Sequence, residues 1–395
     1  MSSEPPLWLV RYSNKHYVAS VLGTLATREK EREIARSTAS LSLDAEQGRR
    51  STPFSRVYGL LKLPNPVSAE SKMHDHYSIA AGIHPANQHR NRYHNIQPYD
   101  RTRVVVGERY LNASWVLERS GSKWWIASQA PLPHTAHTFL SLLQPINLPF
   151  TPTNTVPPPS PPVTSRVRTI VQLTNNVEDG RRKAHPYYPT QVGQSILISP
   201  EDGDRSLPII VTLTKLEVVE HAHCVWSTLS VMPATSNTAQ RGDVPSNHDD
   251  SKEQHPVIFH HLLYTSWPDF GVPQDHDRAS LLAFIKLVDQ TNRNTSFDPD
   301  PPIIVHCSAG IGRTGSFIAI SSLLRKFGFL PKPGIPCPAS VLPHSPLGAL
   351  SLEQPSDDLI VQEIDSLREQ RPGMVQRNEQ IILIYEILAS AFRSP

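Results

Sequence analysis

The chain has 395 residues, with 38 lysines and arginines against 36 aspartates and glutamates and a formal net charge of +2. That balance supplies no bulk attraction to nucleic acid or an anionic membrane. No apolar run approaches the roughly 18 residues a membrane-crossing helix needs.

Three scattered cysteines, Cys224, Cys307 and Cys337, exclude a disulfide framework and fit a reducing, cytoplasmic setting. Met1 to Val10 lacks the basic leader of a secretory signal. The 38 prolines exceed the usual share of about 5%, and they cluster, which marks loops rather than an unusual core. Residues 1–50 read as an N-terminal extension, partly helical or disordered. Within it, Thr24 to Thr38 is charged on most faces, so a solvated or frayed segment is expected and a helix is the alternative. A domain follows over 51–395. Phe54, Val57, Leu60 and Leu61 predict a helix over 54–63 packed on that domain.

Asn91-Arg92-Tyr93-His94-Asn95-Ile96 is a polar loop, followed by a predicted strand over Val104 to Val106. Tyr110 to Ser114 and Trp124 to Pro133 read as strand residues and a turn. Residues near 145–165, with Pro157-Pro158-Pro159 and Pro161-Pro162, favour polyproline II over a packed core. A passive loop is expected there, with an SH3-like partner as the alternative. Thr169 to Leu173 is a strand, and a mixed-charge turn runs from Asn175 to Lys183. Ser195 to Ile198, Ile209 to Val219 and Cys224 to Val231 alternate as antiparallel strands, with Cys224 a packing residue. Residues near 233–256 form a second, polar insertion. Val257 to Tyr264 is a strand, Thr265 to Pro273 a stiff loop around Trp267-Pro268-Asp269, and His276 to Thr291 an amphipathic helix.

Ile303 to Phe317 carries the strongest signal. Ile303 to Val305 suits one buried strand. Gly310, Gly312 and Gly315 break the pattern, and Phe317, Ile318, Ile320, Leu323 and Leu324 resume it at helical spacing. Strand, glycine-rich turn and helix in that order cradle an anion on backbone N–H groups. Cys307 opens the turn, and a thiol reacts as the thiolate that such donors stabilise. Arg313 closes it with a fork matched to phosphate. A cysteine alone in such a turn reads as a packing residue; the spacing to Arg313, with His306 and the glycines, favours a nucleophile. A third Pro-rich insertion lies near 330–357. A helix over Asp358 to Arg368, a glutamine-containing loop over 370–380 and a helix over Asn378 to Phe392 end the chain.

His306-Cys307 with Arg313 six residues on, the Trp-Pro-Asp loop, the Asn-x-Tyr loop, Tyr110 to Ser114 and Gln129 to Leu132 together resemble the protein tyrosine phosphatases. The resemblance is to the cysteine-based, non-receptor, tyrosine-specific type and covers about 54–392. It implies an α/β fold: a highly twisted mixed sheet flanked by helices, in one catalytic domain with three insertions. It also implies that Cys307 is the nucleophile. Arg313 and the loop Ser308, Ala309, Gly310, Ile311 and Gly312 would bind phosphate. Asp269 would be the general acid, on a loop anchored by Trp267. Gln376 would orient the water, supported by Gln380, and Thr314 would help the sulfur leave. His306 would order the cup and favour the thiolate, with Asn112 bracing it.

Tyr93 would wall the substrate ring, where stacking adds roughly 0.5–1.5 kcal/mol. Asn95 stands where the family often has an acidic residue. Glu178 and Lys183 match a loop, here one residue shorter, that pairs with the arginine and approaches the acid loop; a surface turn is the alternative. Phosphotyrosine-containing proteins are the implied partners, with no cofactor, metal or nucleic acid. Two other readings stay open: a non-catalytic phosphotyrosine-binding module, and a phosphatase of wider phosphoserine/threonine or lipid specificity.

Overall fold

The computed structural model describes residues 4–47, 67–149, 164–234, 255–269, 271–294, 300–350 and 357–393. Its main sheet has eight strands: β1 (Ala113–Leu117), β2 (Trp124–Ser128), β3 (Thr169–Gln172), β4 (Ser195–Ile198), β5 (Ile209–Val219), β6 (Cys224–Pro233), β7 (Val257–Tyr264) and β8 (Ile303–His306). Their spatial order is β1-β2-β8-β3-β7-β6-β5-β4. The centre is parallel, β8 running with β2 and β3, and β3 with β7. Antiparallel strands close both sides.

This arrangement follows from which residues need cover. Every residue of β8 is buried, as a central parallel strand requires. Ile303 and Val305 face the larger of the two main cores, Ile304 the smaller. The longer β6 alternates buried and half-buried positions instead.

Five helices matter most: α1 (Lys15–Gln47), α2 (Arg278–Arg293), α3 (Gly312–Lys326), α4 (Leu359–Gln370) and α5 (Asn378–Arg393). α3 is buried from Gly312 through Arg325. Phe284 of α2, Ile364 of α4 and Ile384 of α5 share its core. Each fully buried side chain of this size contributes about 1.5–3 kcal/mol. On the other face, the short helix Ala136–Leu140 and Tyr187 cover the smaller core. No described helix is long and apolar enough to cross a membrane.

Six expectations need correction or fall outside the described residues. The segment 24–38 is helical and solvated on one face only: it belongs to the 33-residue α1. Val21 and Leu25 enter the larger core, and Arg28 and Arg32 are buried against acids of α4. Arg28 Nε lies 3.0 Å from Asp365, and Arg32 pairs with Asp365 and, at 2.9 Å, with Glu369. Val104 to Val106 is not a strand: isolated bridges join Arg103 to Ser114 and Val106 to Arg109, and Val104 N donates to Ala113 O at 3.0 Å.

The insertion near 330–357 is tied down over its described part. Cys337 N donates to Ser122 O at 2.9 Å, Arg325 reaches Pro331 O and Arg28 reaches Gly348 O. Cys337 itself is half-buried, and burial pushes its thiol pKa up. The helix expected over 54–63, the proline run at 157–162 with its SH3-like ligand reading, and most of the polar insertion near 233–256 lie outside the described residues.

Candidate active site

β8 ends at His306, and the chain turns before α3. Cys307 is 6% exposed, and its sulfur accepts a hydrogen bond from Gly310 N at 3.3 Å. Gly310 has φ +72°, and a Cβ there would sit 2.0 Å from Ser128 O. Only glycine lets the loop run this close to β2. Ala130 N clamps the same loop by donating to Ser308 O at 3.0 Å. The helical ladder of α3 starts with Gly315 N donating to Ile311 O. The amides ahead of it therefore form a helix N-terminus, which favours an anion.

His306 is fully buried. Its Nδ1 lies 3.2 Å from Cys307 O, and its Nε2 lies 2.9 Å from the Tyr187 hydroxyl. Burial drops its pKa to about 4. The ring is neutral at physiological pH, so it orders the cup through hydrogen bonds.

The Cys307 loop opens on a cavity of about 460 Å³, also lined by Arg313, Asp269, Tyr93, Gln376 and Gln380. Arg313, 8% exposed, holds the Glu178 carboxylate in a fork, Nη1 to Oε1 at 2.7 Å and Nη2 to Oε2 at 2.8 Å. Its Nη1 also donates to Leu173 O, and its Nη2 to Pro268 O. Burial alone would lower the Arg313 pKa; the Glu178 hydrogen bonds and charge outweigh it, and the net shift is upward. The guanidinium is thus fixed in position and charge before any ligand arrives.

Asp269 faces the same cavity. Its Oδ2 lies 2.6 Å from Lys183 Nζ and its Oδ1 3.4 Å from Arg313 Nη2. Trp267 is buried and donates from its indole nitrogen to Gly271 O at 3.2 Å, clamping the loop across its tip. Ser266 Oγ lies 2.6 Å from His223 Nδ1, and Thr265 N donates to His223 O. His223 sits at φ +42° at the turn between β5 and β6. These ties hold the Trp-Pro-Asp segment over the cup.

Tyr93 is half-buried at the mouth, its hydroxyl 2.8 Å from Ser308 Oγ. Ser308 Oγ donates in turn to Lys183 O. Asn95 lines the mouth, exposed and uncharged. Gln376 is exposed to the cavity, whereas Gln380 is buried and accepts from Arg377 N. Thr314 Oγ1 is buried with no hydrogen-bond partner.

The sequence pointed to no specific partners for four supports. Arg371 is fully buried under the cup. It donates to Gly310 O at 2.8 Å, Ala309 O at 3.1 Å and Asn112 Oδ1 at 2.8 Å. Burial lowers its pKa to about 10, so it keeps its charge. Asn112 reaches the loop through this arginine. Arg368 donates to Met374 O and Val375 O beside Gln376, and to Leu25 O in α1. Val375, β-branched, stands at φ +54°, a strained state that persists only when neighbours fix it. Gln129 pins the tyrosine loop, accepting from Arg92 N and donating to Arg90 O. His223 is the fourth. The run Gln370-Arg371-Pro372-Gly373 signalled a tight loop, but nothing in it pointed at partners elsewhere in the chain.

The protein-tyrosine phosphatase family model matches residues 87–144 and 163–329. Receptor-type tyrosine-protein phosphatase eta of Gallus gallus is 29% identical over 329 residues, 80% of this chain and 18% of that protein. The Mus musculus eta protein is 34% identical over 244 residues, 60% of this chain and 16% of that protein. The chain thus spans less than a fifth of the length of these curated relatives. Among solved structures, the catalytic domain of human protein tyrosine phosphatase non-receptor type 18 covers 80% of this chain and 88% of that one, at 25% identity and a TM-score of 0.54. A structure described as PTPN18 in complex with HER2-pY1196 phospho-peptides covers 82% of this chain and 89% of that one, with a TM-score of 0.55. The family model takes in more than half of the chain, including Asp269, Cys307 and Arg313, and on these grounds the chain belongs to the protein-tyrosine phosphatase family.

Proposed function

We propose that the chain hydrolyses phosphotyrosine in proteins through a phosphocysteine on Cys307, in the cytoplasm. The observation that carries this is one cavity lined by a sulfur, a guanidinium already fixed by Glu178, and a carboxylate on a tethered loop. The Cys307 thiolate attacks phosphorus and the P–O bond to the tyrosine breaks. Asp269 gives its proton to the departing oxygen, a step worth about 10²–10⁴ in rate. Gln376 then orients a water, Asp269 takes its proton, the S–P bond breaks, and phosphate leaves with the thiolate restored. Arg313 and the loop amides hold the equatorial oxygens through both steps. Thr314 Oγ1 is available to hydrogen-bond the departing sulfur. Tyr93 at the rim favours an aryl over a short seryl phosphate by stacking and by depth.

The test is turnover of phosphotyrosyl and phosphoseryl peptides of one sequence. Cys307→Ser is expected to reduce turnover to background. Asp269→Ala is expected to keep binding while losing about 10²-fold or more in kcat, so that it holds its substrates for identification. Hydrolysis that survives Cys307→Ser overturns the mechanism. Wild-type binding without turnover identifies a phosphotyrosine-binding module, and equal turnover of both peptides identifies the wider specificity.

A further inference from the structure

A strand that ends a sheet offers a row of N–H and C=O groups to a further strand. β4 is such a strand: it stands last in the spatial order, and among the described strands it pairs with β5 alone. β1, at the other end, is buried along its whole length. The ladder shows which groups of β4 point outward. Leu213 N donates to Gln194 O at 3.1 Å, and bonded pairs recur at every second residue of an antiparallel ladder. Ile196 and Ile198, opposite Val211 and Ile209, therefore bond inward to β5. Leu197 between them points its N–H and C=O away from β5, as do Ser195 and Ser199.

The side chains sort in the same alternation. Ile198 is buried in the smaller core and Ile196 packs against it. Leu197, on the opposite face, is 61% exposed. It stands opposite Ile210, and Ile210 stands opposite Met232; both are half-buried. An apolar row thus crosses three strands and stops at Leu197 on the sheet edge. Sheet edges are commonly blunted by lysine or by an inward-pointing charge. Here the run from Thr190 to Pro200 contains no charged residue.

The edge reads Ser195-Ile196-Leu197-Ile198-Ser199, the same in both directions. We propose that β4 is the contact between two copies of this chain, paired antiparallel about a two-fold axis through Leu197. The axis makes each Leu197 backbone donate to and accept from its counterpart. Ser195 of one copy then faces Ser199 of the other, and Ile196 faces Ile198. The apolar row doubles, running from Met232 through both Leu197 side chains to the second Met232. A two-fold contact needs a patch complementary to itself, which the palindrome supplies. Charge agrees with it. The uncharged run opposes no like charges, and in the same register Glu201 falls opposite Gly193 and Asp202 opposite Val192, so the acids beyond β4 do not meet each other. Pairing of Ser195 to Ser199 on each side falls short of the roughly 800 Å² per partner of a standard interface. The dimer is therefore weak and forms in the micromolar range. This inference does not depend on the hydrolytic reading.

Sedimentation equilibrium of the whole chain from about 1 µM to about 300 µM brackets that range, and a reversible monomer–dimer equilibrium is expected. Two substitutions aim at the axis and spare the ladder to β5. Leu197→Lys sets like charges directly opposite each other, which is destabilising. Leu197→Pro removes the outward N–H, a change an edge strand tolerates. Both variants are expected to stay monomeric throughout, with far-UV circular dichroism unchanged. Leu216→Lys, at another exposed leucine of β5, is expected to dimerise like wild type. Amide hydrogen exchange reads the strand face itself. The Leu197 amide is expected to slow as concentration rises, while those of Ile196 and Ile198 stay protected at every concentration. A wild-type chain that is monomeric across the range overturns the proposal. So does a dimer that survives either substitution at Leu197, or growth beyond a dimer into open chains, which a closed two-fold contact does not give.

Discussion

Glu178 Oε1 accepts from Arg313 Nη1, Thr174 Oγ1 and Asn175 N at once. A carboxylate so committed holds Arg313 in place rather than binding substrate. Glu178→Gln removes the charge and replaces one acceptor oxygen with a donor. A buried arginine left short of its partner costs about 3 kcal/mol, so urea unfolding is expected to show a loss of that size. Phosphate or vanadate affinity should weaken with it; unchanged affinity would contradict the positioning role. Gly310 gives a sharper case. An alanine there meets Ser128 O at 2.0 Å and keeps φ +72°, so the loop must shift. Gly310→Ala is expected to abolish turnover while far-UV circular dichroism stays unchanged. These residues differ in how visible they were in the sequence. Gly310 belongs to a contiguous turn. Glu178 stands 135 positions from Arg313, in a loop whose shortened length left its register open.

α1 is packed into the same body as the cup. Its Leu25 carbonyl shares Arg368 with the carbonyls of Met374 and Val375, and Glu29 accepts from Gly373 N at 3.2 Å. One buried guanidinium therefore joins the N-terminal helix to the loop that carries Gln376. Arg368→Ala leaves three carbonyls without this donor, a cost of about 2–4 kcal/mol in stability. On the proposed mechanism, in which Gln376 orients the water, hydrolysis of the phosphocysteine should slow more than its formation. Rapid-quench kinetics are expected to show a larger burst followed by a slower steady state. A uniform fall in both phases would assign Arg368 to stability alone. α1 was misread from sequence because a helix whose arginines face inward looks solvated until the partner acids are known. Asp365 and Glu369 come from α4, near the other end of the chain.

Across the molecule, Glu369 is a junction. It accepts from Arg32, the Tyr77 hydroxyl and Ser345 Oγ, and its Oε2 lies 2.9 Å from His76 Nε2. Burial alone would raise its pKa; the His76 hydrogen bond and the Arg32 charge outweigh this and hold it at about 2. A depressed carboxylate contributes stability above its unfolded pKa of about 4.3 and loses it as pH falls toward 2. His306, held by burial at about 4, loses stability in the same direction between about 6.5 and 4. Glu363, held up at about 7 by burial, works oppositely, gaining stability as pH falls from 7 to about 4.3. The last two offset each other in part, so melting temperature is expected to vary little from pH 7 to 5 and to drop steeply below 4.5. Glu369→Gln should flatten that drop; a drop of equal size in the variant would remove Glu369 as its cause. The sequence by itself determined the Cys307 to Arg313 turn and the Trp267 to Asp269 loop, because residues a few positions apart decide a strand end, a glycine turn and a helix start. Only the tertiary structure decided that Glu178 grips Arg313, that Arg371 lies beneath the cup and that α1 is docked. Those pairings depend on β8 lying between β2 and β3 and on helices from both ends of the chain meeting on one face, contacts that no local pattern encodes.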